Sequence, residues 1–283
     1  MQLAFTTLGC QEWELADIIQ KAKLYGYAGV DFRGYHGELD LWKCPEFRVG
    51  AAETRRRLED AGLAIPCLGS SARMFAKPEE RARHLEEVAH YADIAATLGA
   101  PYVRIFGGGL GGVPFADALP VASDFLVEAA RIASNAGIEV LVETHDDWVD
   151  TNWLLAAFET AEFPAGVNML WDVHHPYRLA GEDPDDTWRR IGPFVRYTHW
   201  KDSVLDNPAE VAEGKPPKYH LVLPGDGDLP LGRFHELLED SGYRGWHTLE
   251  WERKWHPELV SADVAFPRFV EVMQRLAGGR RHD

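Results

Sequence analysis

Residues 167–175 read VNMLWDVHH, an apolar run that breaks off at Asp172 and continues into two histidines. Three other segments finish in the same manner: LVETH at 141–145, VRYTHWKD at 195–202 and HTLEWE at 247–252. Each is a short apolar stretch closing on a carboxylate or an imidazole, which suits a buried strand running into a loop. Working outward, earlier strand candidates are Leu3 to Leu8, Val30 to Phe32, Leu63 to Leu68 and Tyr102 to Phe106. Val140 to Glu143, Val167 to Asp172, Val195 to His199 and Thr248 to Glu250 bring the set to eight. Helical periodicity covers Glu14 to Tyr25 and Ala51 to Ala61. It also covers a long segment from Pro78 to a stop at Gly99, and about Asp117 to Ala136. Such βαβα alternation predicts a parallel sheet, and eight units in 283 residues predict a single (β/α)₈ TIM barrel over residues 1–283. A doubly wound open sheet is the alternative, but its phosphate fingerprint after the first strand is absent.

The formal net charge is −16. A nucleic-acid partner is therefore not expected, since backbone binding needs a dense basic surface. Cys10, Cys44 and Cys67 fit no disulfide framework or zinc motif, and they are read as small, partly buried residues of a reducing compartment. No stretch is apolar enough to span a membrane, and MQLAFTTLG lacks the pattern of a signal peptide. Cytoplasmic is the expectation. The tail AGGRRHD reads as a frayed end.

Active-site groups of a barrel come from the C-terminal ends of its strands. Strands five to eight end on Glu143, Asp172, His199 and Glu250. Converging carboxylates repel one another and raise each other's pKa unless a cation sits among them. The four side chains form a hard, mostly oxygen ligand set for one divalent metal ion: Mn²⁺ first, with Mg²⁺, Co²⁺ or Zn²⁺ as alternatives. Residues i and i+2 share a face of a strand. His145 should therefore point with Glu143, Lys201 with His199, Asp31 with Arg33 and Arg104 with Phe106. Arg33, Arg104, His145, His175 and Lys201 become candidates for holding a polyhydroxylated carbohydrate substrate. Each also has a plainer reading: Lys201 as an ion-pair partner of Asp202 or Glu252, the histidines as loop hydrogen-bonders, the arginines as ion pairs inside the barrel.

Weaker features surround these. Gly107 to Gly112 reads as a plain loop or a flexible lid and lacks the Gly-Lys-Ser/Thr ending of a phosphate loop. Pro224 to Asp228, PGDGD, lacks the terminal Glu of a calcium loop. Ser203 to Lys218, rich in Pro, Asp and Glu, reads as an extended loop over the mouth. Trp13, Trp148, Trp200, Trp251 and Trp255 lie near strand ends, and one or two are expected to line the pocket.

The segments LVETHDD, NMLWDVHHPYR, VRYTHWKDS, LPGDGDLPL and HTLEWE resemble the xylose isomerase-like TIM-barrel superfamily, in particular its sugar phosphate isomerase/epimerase group. The resemblance covers nearly the whole chain. It implies metal ligation by Glu143, Asp172, His199 and Glu250, proton transfer by Glu143 and Glu250, and a substrate contact by His175. The ketose 3-epimerases of the group usually carry an Arg six residues after the histidine ligand. This chain has Leu205 there and a His-x-Lys-Asp sequence at 199–202, which resembles the inosose dehydratase-like members more. The superfamily also holds endonuclease IV, whose extra zinc ions need histidines on strands three and four. Here Gly69-Ser70 and Arg104 stand instead.

The resemblance and the residues together predict an isomerase or epimerase that shifts a proton next to a carbonyl. A dehydratase or lyase using the same first step is the runner-up, and a non-catalytic carbohydrate-binding barrel the third reading. Related barrels often pair, so a dimer or tetramer is expected.

Overall fold

The computed structural model describes residues 1–279, so residues 280–283, the end of the tail read as frayed, lie outside the described residues. Ten strands occur among the described residues. They are β1 Gln2–Thr6, β2 Gly29–Asp31, β3 Cys67–Arg73, β4 Tyr102–Phe106, β5 Glu139–Glu143, β6 Val167–Asp172, β7 Val195–Trp200, β8 Asp202–Leu205, β9 Tyr219–Val222 and β10 Trp246–Leu249. Eight of them form one sheet in the order β2-β1-β10-β7-β6-β5-β4-β3, and its pairings are parallel. Parallel bridges Gly29↔Ala64 and Phe32↔Leu68 join the two ends. The protein is a single, nearly closed (β/α)₈ barrel.

Helices such as Pro78–Leu98, Phe115–Ala136 and Ala262–Gly278 form the outer layer. Their inner faces read at helical spacing: Ala118, Ala122, Phe125, Leu126, Ala129 and Ala133 of the second are all buried. That helix stops at Gly137 in the left-handed region (φ 70°), where its N–H caps the carbonyls of Ala133 and Ser134. No helix is long and apolar enough to cross a membrane among the described residues.

The strands alternate as their sequences dictate. Cys67, Leu141, Leu170 and Tyr197 pack together inside the barrel as an apolar floor, flanked by Tyr102 and Trp246. Two residues further along β5, β6 and β7 stand Glu143, Asp172 and His199 on the same face. The register sets Leu170 beside Tyr197 and Asp172 beside His199. The polar groups therefore rest one pleat above an apolar layer, at the C-terminal end.

Two expectations are corrected. Ser203 to Lys218 is not an extended loop: β8 turns through the helix Pro208–Ala212 and returns as β9, giving an antiparallel hairpin with Asp202 opposite Val222. The third strand is not Leu63 to Leu68 but Cys67–Arg73, with Ala64 held only by its bridge to Gly29. Pairing with β4 holds this strand although Gly, Ser and Ala dominate it.

Candidate active site

One ligand atom from each of Glu143, Asp172, His199 and Glu250 can be chosen so that all lie within 4.8 Å of one another, and all four residues are buried. His199 Nδ1 is 3.0 Å from Glu143 Oε1 and 3.5 Å from Glu250 Oε1. Its Nε2 faces Asp31 Oδ2 at 3.4 Å. Glu143 Oε2 stands 3.2 Å from Arg104 Nε, fully enclosed.

The set fits a divalent cation. Glu143 Oε2 and Asp172 Oδ2 are buried without a hydrogen-bond partner, and three carboxylates converge. The electrostatics describe the same demand. Burial pushes Asp172 up to about 7, with the charges of Glu250 and Glu143 adding to it against Lys201. Burial would push His199 down, but Glu250 and Glu143 outweigh it and raise the imidazole to about 10. A cavity this anionic draws in a positive charge, which a proton on His199 or a metal ion can supply. Asp172 also falls within ligand reach of His174 and His175, but His174 Nε2 bonds Ser203 Oγ at 2.9 Å and His175 Nδ1 meets the Thr144 carbonyl oxygen at 3.1 Å.

Lys201 shares the inward face with His199. Its ammonium is 3.0 Å from Asp172 Oδ2, 2.6 Å from Glu250 Oε2 and bonded to Glu252. Burial opposes its charge, yet Asp172, Glu250 and Glu252 hold its pKa well above the ordinary lysine value. The pairing is with Glu252, Glu250 and Asp172. Asp202 is turned away, accepting the N–H groups of Ser203, Gly225 and Gly227. The PGDGD turn is thus a structural wrap around Asp202.

Above the tetrad lies a cavity of about 390 Å³, whose wall includes Glu250, Arg104, Arg33, His145, Glu252 and Trp255. Phe106 forms part of its side, with the Arg104 guanidinium 3.8 Å from the ring centre. Trp13, Trp148, Trp200 and Trp251 are buried, while Trp255 is 51% exposed and lines the rim. His145 meets His175 edge-on at 4.6 Å. Burial disfavours charge on His145, but Asp146 and Glu143 overcome it and raise its pKa. His175 is held well below the ordinary value by burial and by Lys201. Gly107 to Gly112 is tethered: the N–H of Gly108 donates to Asp146 at 3.0 Å and that of Leu110 to Asp147 at 2.6 Å.

The structure places Glu143, Asp172, His199 and Glu250 within ligand reach of one another with Lys201 against two of them, sets Arg33, Arg104 and His145 in the cavity wall, and packs His175 behind His145. It adds Asp31 behind His199, Ser71 and Arg73 on the extended β3, and Glu252 beside Lys201. Asp31 and Glu252 were open to the same strand-end reading that found the tetrad. Ser71 and Arg73 were not, because nothing in CLGSSAR announces a strand that long.

An inosose dehydratase from Lacticaseibacillus casei is 28% identical over 133 residues, a match covering 43% of this chain and 43% of that enzyme. The chain therefore aligns with well under half the length of that relative. Among solved structures, the IOLI protein with a bound zinc atom superposes with a TM-score of 0.79 at 16% identity, covering 99% of each chain. The 3-keto-D-glucoside 4-epimerase YcjR from E. coli superposes with a TM-score of 0.73 at 14% identity, covering 98% of this chain and 99% of that one. At such identities these superpositions speak for the fold alone. The pattern of residues 19–268 matches the family described as Xylose isomerase-like TIM barrel, and the chain belongs to that family.

Proposed function

We propose that the protein is a divalent-metal-dependent enzyme that moves a proton next to a carbonyl in a carbohydrate or a polyol-derived ketone, as an isomerase or epimerase. One observation carries this reading: Glu250 is both a member of the tetrad and part of the cavity wall. A bound divalent cation, Mn²⁺ in this proposal, would polarise the carbonyl and take up charge developing on its oxygen. Burial would push the Glu250 carboxyl up, but Lys201, then His199 and Arg104, pull it below the ordinary range. It is therefore ionised and able to accept the α-proton. Glu143, braced by Arg104, is the second carboxylate and the candidate for returning a proton. His145, at the cavity wall, orients substrate hydroxyls, and His175 packs behind it. The same proposal carries a cytoplasmic setting, in keeping with three buried free thiols, and a dimer or tetramer.

A dehydratase reading has its own support in Lys201. Its ammonium touches Glu250 and is held protonated beside the base. As Glu250 takes the α-proton, the C–H electron pair can form the double bond while a β-hydroxyl leaves with a proton from Lys201. The Lacticaseibacillus relative, named an inosose dehydratase, leans this way.

The test is proton exchange. Protein loaded with Mn²⁺ is incubated in D₂O with a panel of ketoses and inososes and followed by NMR. C–H to C–D exchange without loss of water supports the isomerase or epimerase. Loss of water assigns the dehydratase. Glu250→Gln should slow either by roughly 10²–10⁴-fold. Tight binding with no exchange of any sugar would leave a carbohydrate-binding barrel.

A further inference from the structure

Among the described residues three arginines are buried: Arg33, Arg104 and Arg178. Arg104 has the carboxylate of Glu143 and the carbonyl oxygen of Ser70. Arg178 has Asp228 and Ser203. Arg33 forms no ion pair with a carboxylate among the described residues. Its Nη2 donates to the neutral Ser71 hydroxyl at 2.9 Å, and its Nη1 is buried without a partner. A buried cation left this way is costly, because nothing replaces the hydration it has lost. The cost is visible in its pKa, brought down to about 10 by burial and by the like charge of Arg104.

The surroundings of Arg33 are built to keep it. A Cβ on Gly69 would lie 2.6 Å from Arg33 Cδ and 3.0 Å from Arg104 Nη2, so the missing side chain is what admits both arginines. Arg33 and Arg104 both face the Phe106 ring, at 5.8 and 3.8 Å. Past an irregularity in the β3–β4 register, Arg73 ends β3, and it lines the cavity together with Ser71. It is exposed and makes no hydrogen bond or ion pair among the described residues. Glu87 and Glu250 favour the charge on Arg33 only at a distance, without an ion pair; Glu87 accepts the N–H of Ser71 at 2.5 Å, and Asp146 is bonded to Gly108 and His145.

We infer that the substrate carries an anionic group, a carboxylate or a phosphate, received by Arg33 and Arg73 with Ser71 at the β2–β3 side of the mouth. This rests on the reading of the mouth as a carbohydrate site and adds the substrate's charge to it. The planar forks of two guanidinium groups match the oxygens of either anion. The anion supplies the directly paired counter-charge that Arg33 lacks. It also fixes one end of the molecule within the cavity that Glu250 lines.

Calorimetric titration of the full-length, Mn²⁺-loaded protein tests this with three ligands on one carbon skeleton: arabinitol, arabinonate and the terminal phosphate monoester of arabinitol. At least one anion should bind tenfold or more tightly than the neutral polyol, and which one does so separates carboxylate from phosphate. Arg33→Met should abolish the anion's advantage, and Arg73→Met, at an exposed position, should cut it at least threefold. The second variant decides the matter if the first does not fold. Anions binding no better than arabinitol, or an advantage that survives both substitutions, overturns the inference. Neutral sugars exchanging in D₂O without any anion advantage would leave the enzymatic proposal standing and sink this one. An anion advantage without exchange of any sugar would do the reverse, and failure of all three ligands to bind overturns both.

Discussion

Asp31 Oδ2 sits 3.4 Å from Nε2 of His199, across the imidazole from Glu143 Oε1, which is 3.0 Å from Nδ1. The ring is thus held from behind by one carboxylate while its other nitrogen faces the tetrad. Such a partner fixes the tautomer and the angle at which a histidine meets a metal. Asp31→Asn should weaken Mn²⁺ binding roughly 10–100-fold with little change in fold. Titration followed by the electron paramagnetic resonance of free Mn²⁺ reads this directly. Unchanged affinity would mean that the carboxylate does not orient the ring.

Lys201 is the counter-charge for Asp172, Glu250 and Glu252. Lys201→Met removes it and leaves buried carboxylates facing one another. Urea unfolding in a chelator should show a loss on the order of 3–5 kcal/mol, the cost of breaking a buried ion pair. Adding Mn²⁺ should recover part of that loss, because the ion takes over the same oxygens. For the unsubstituted chain, Mn²⁺ at a hundred times its dissociation constant should add about 2.7 kcal/mol. A Lys201→Met loss that is identical with and without Mn²⁺ would argue against a shared anionic site.

His247 predicts how the fold responds to acid. It is buried against Trp200, neither ring nitrogen has a partner, and burial lowers its pKa to about 3. The unfolded chain takes up a proton near pH 6.5, whereas the folded chain refuses it until about pH 3. Stability is therefore full above the unfolded value and falls as pH drops through it. Between pH 7.5 and 5.5 the loss from this one residue should be about 1.4 kcal/mol. His247→Phe should flatten the pH dependence of urea unfolding by that amount. A variant as acid-sensitive as the parent would place the effect elsewhere.

Two glycines with positive φ should respond differently to alanine. At Gly137 (φ +70°) a Cβ meets nothing within 4 Å, so Gly137→Ala should cost only the left-handed backbone term, about 1–2 kcal/mol. At Gly108 (φ +94°) a Cβ would collide with the carbonyl oxygen of Phe75. Gly108→Ala should cost clearly more. It should also disturb His145 through Asp146, which holds both. Thermal unfolding of the pair, with sugar exchange on Gly108→Ala, checks both halves.

The barrel and the clustered candidate tetrad were legible because they rest on strong local signals. Apolar runs ending in Glu143, Asp172 and Glu250 point to a cation, since a carboxylate at the inner end of a buried strand needs a partner of opposite charge. The alternation that pairs His199 with Lys201 and Arg104 with Phe106 is a geometric property of any strand. What stayed hidden depended on partners distant in sequence. Residues 69–73, GSSAR, are poor strand formers and extend along β4 only because β4 is there. Hidden with them were Ser71, Arg73 and the cationic side of the mouth. The β8–β9 hairpin is equally weak locally, being two strands of four residues separated by a short helix and a pair of prolines.

The ring of strands is thinnest between β2 and β3, where two isolated bridges stand in for a continuous ladder. Backbone bonds across that gap run from the Val30 N–H to the Ala64 carbonyl, from the Ala64 N–H to Ala28 and from the Gly69 N–H to Phe32. Breathing of the barrel should begin at this gap, so its amides should trade hydrogen for deuterium ahead of those in β5 or β6. Arg33 stands on one side of the gap and Arg73 on the other. Any molecule gripped by both would act as a clasp on the weakest joint of the wall, so occupancy and rigidity would rise together.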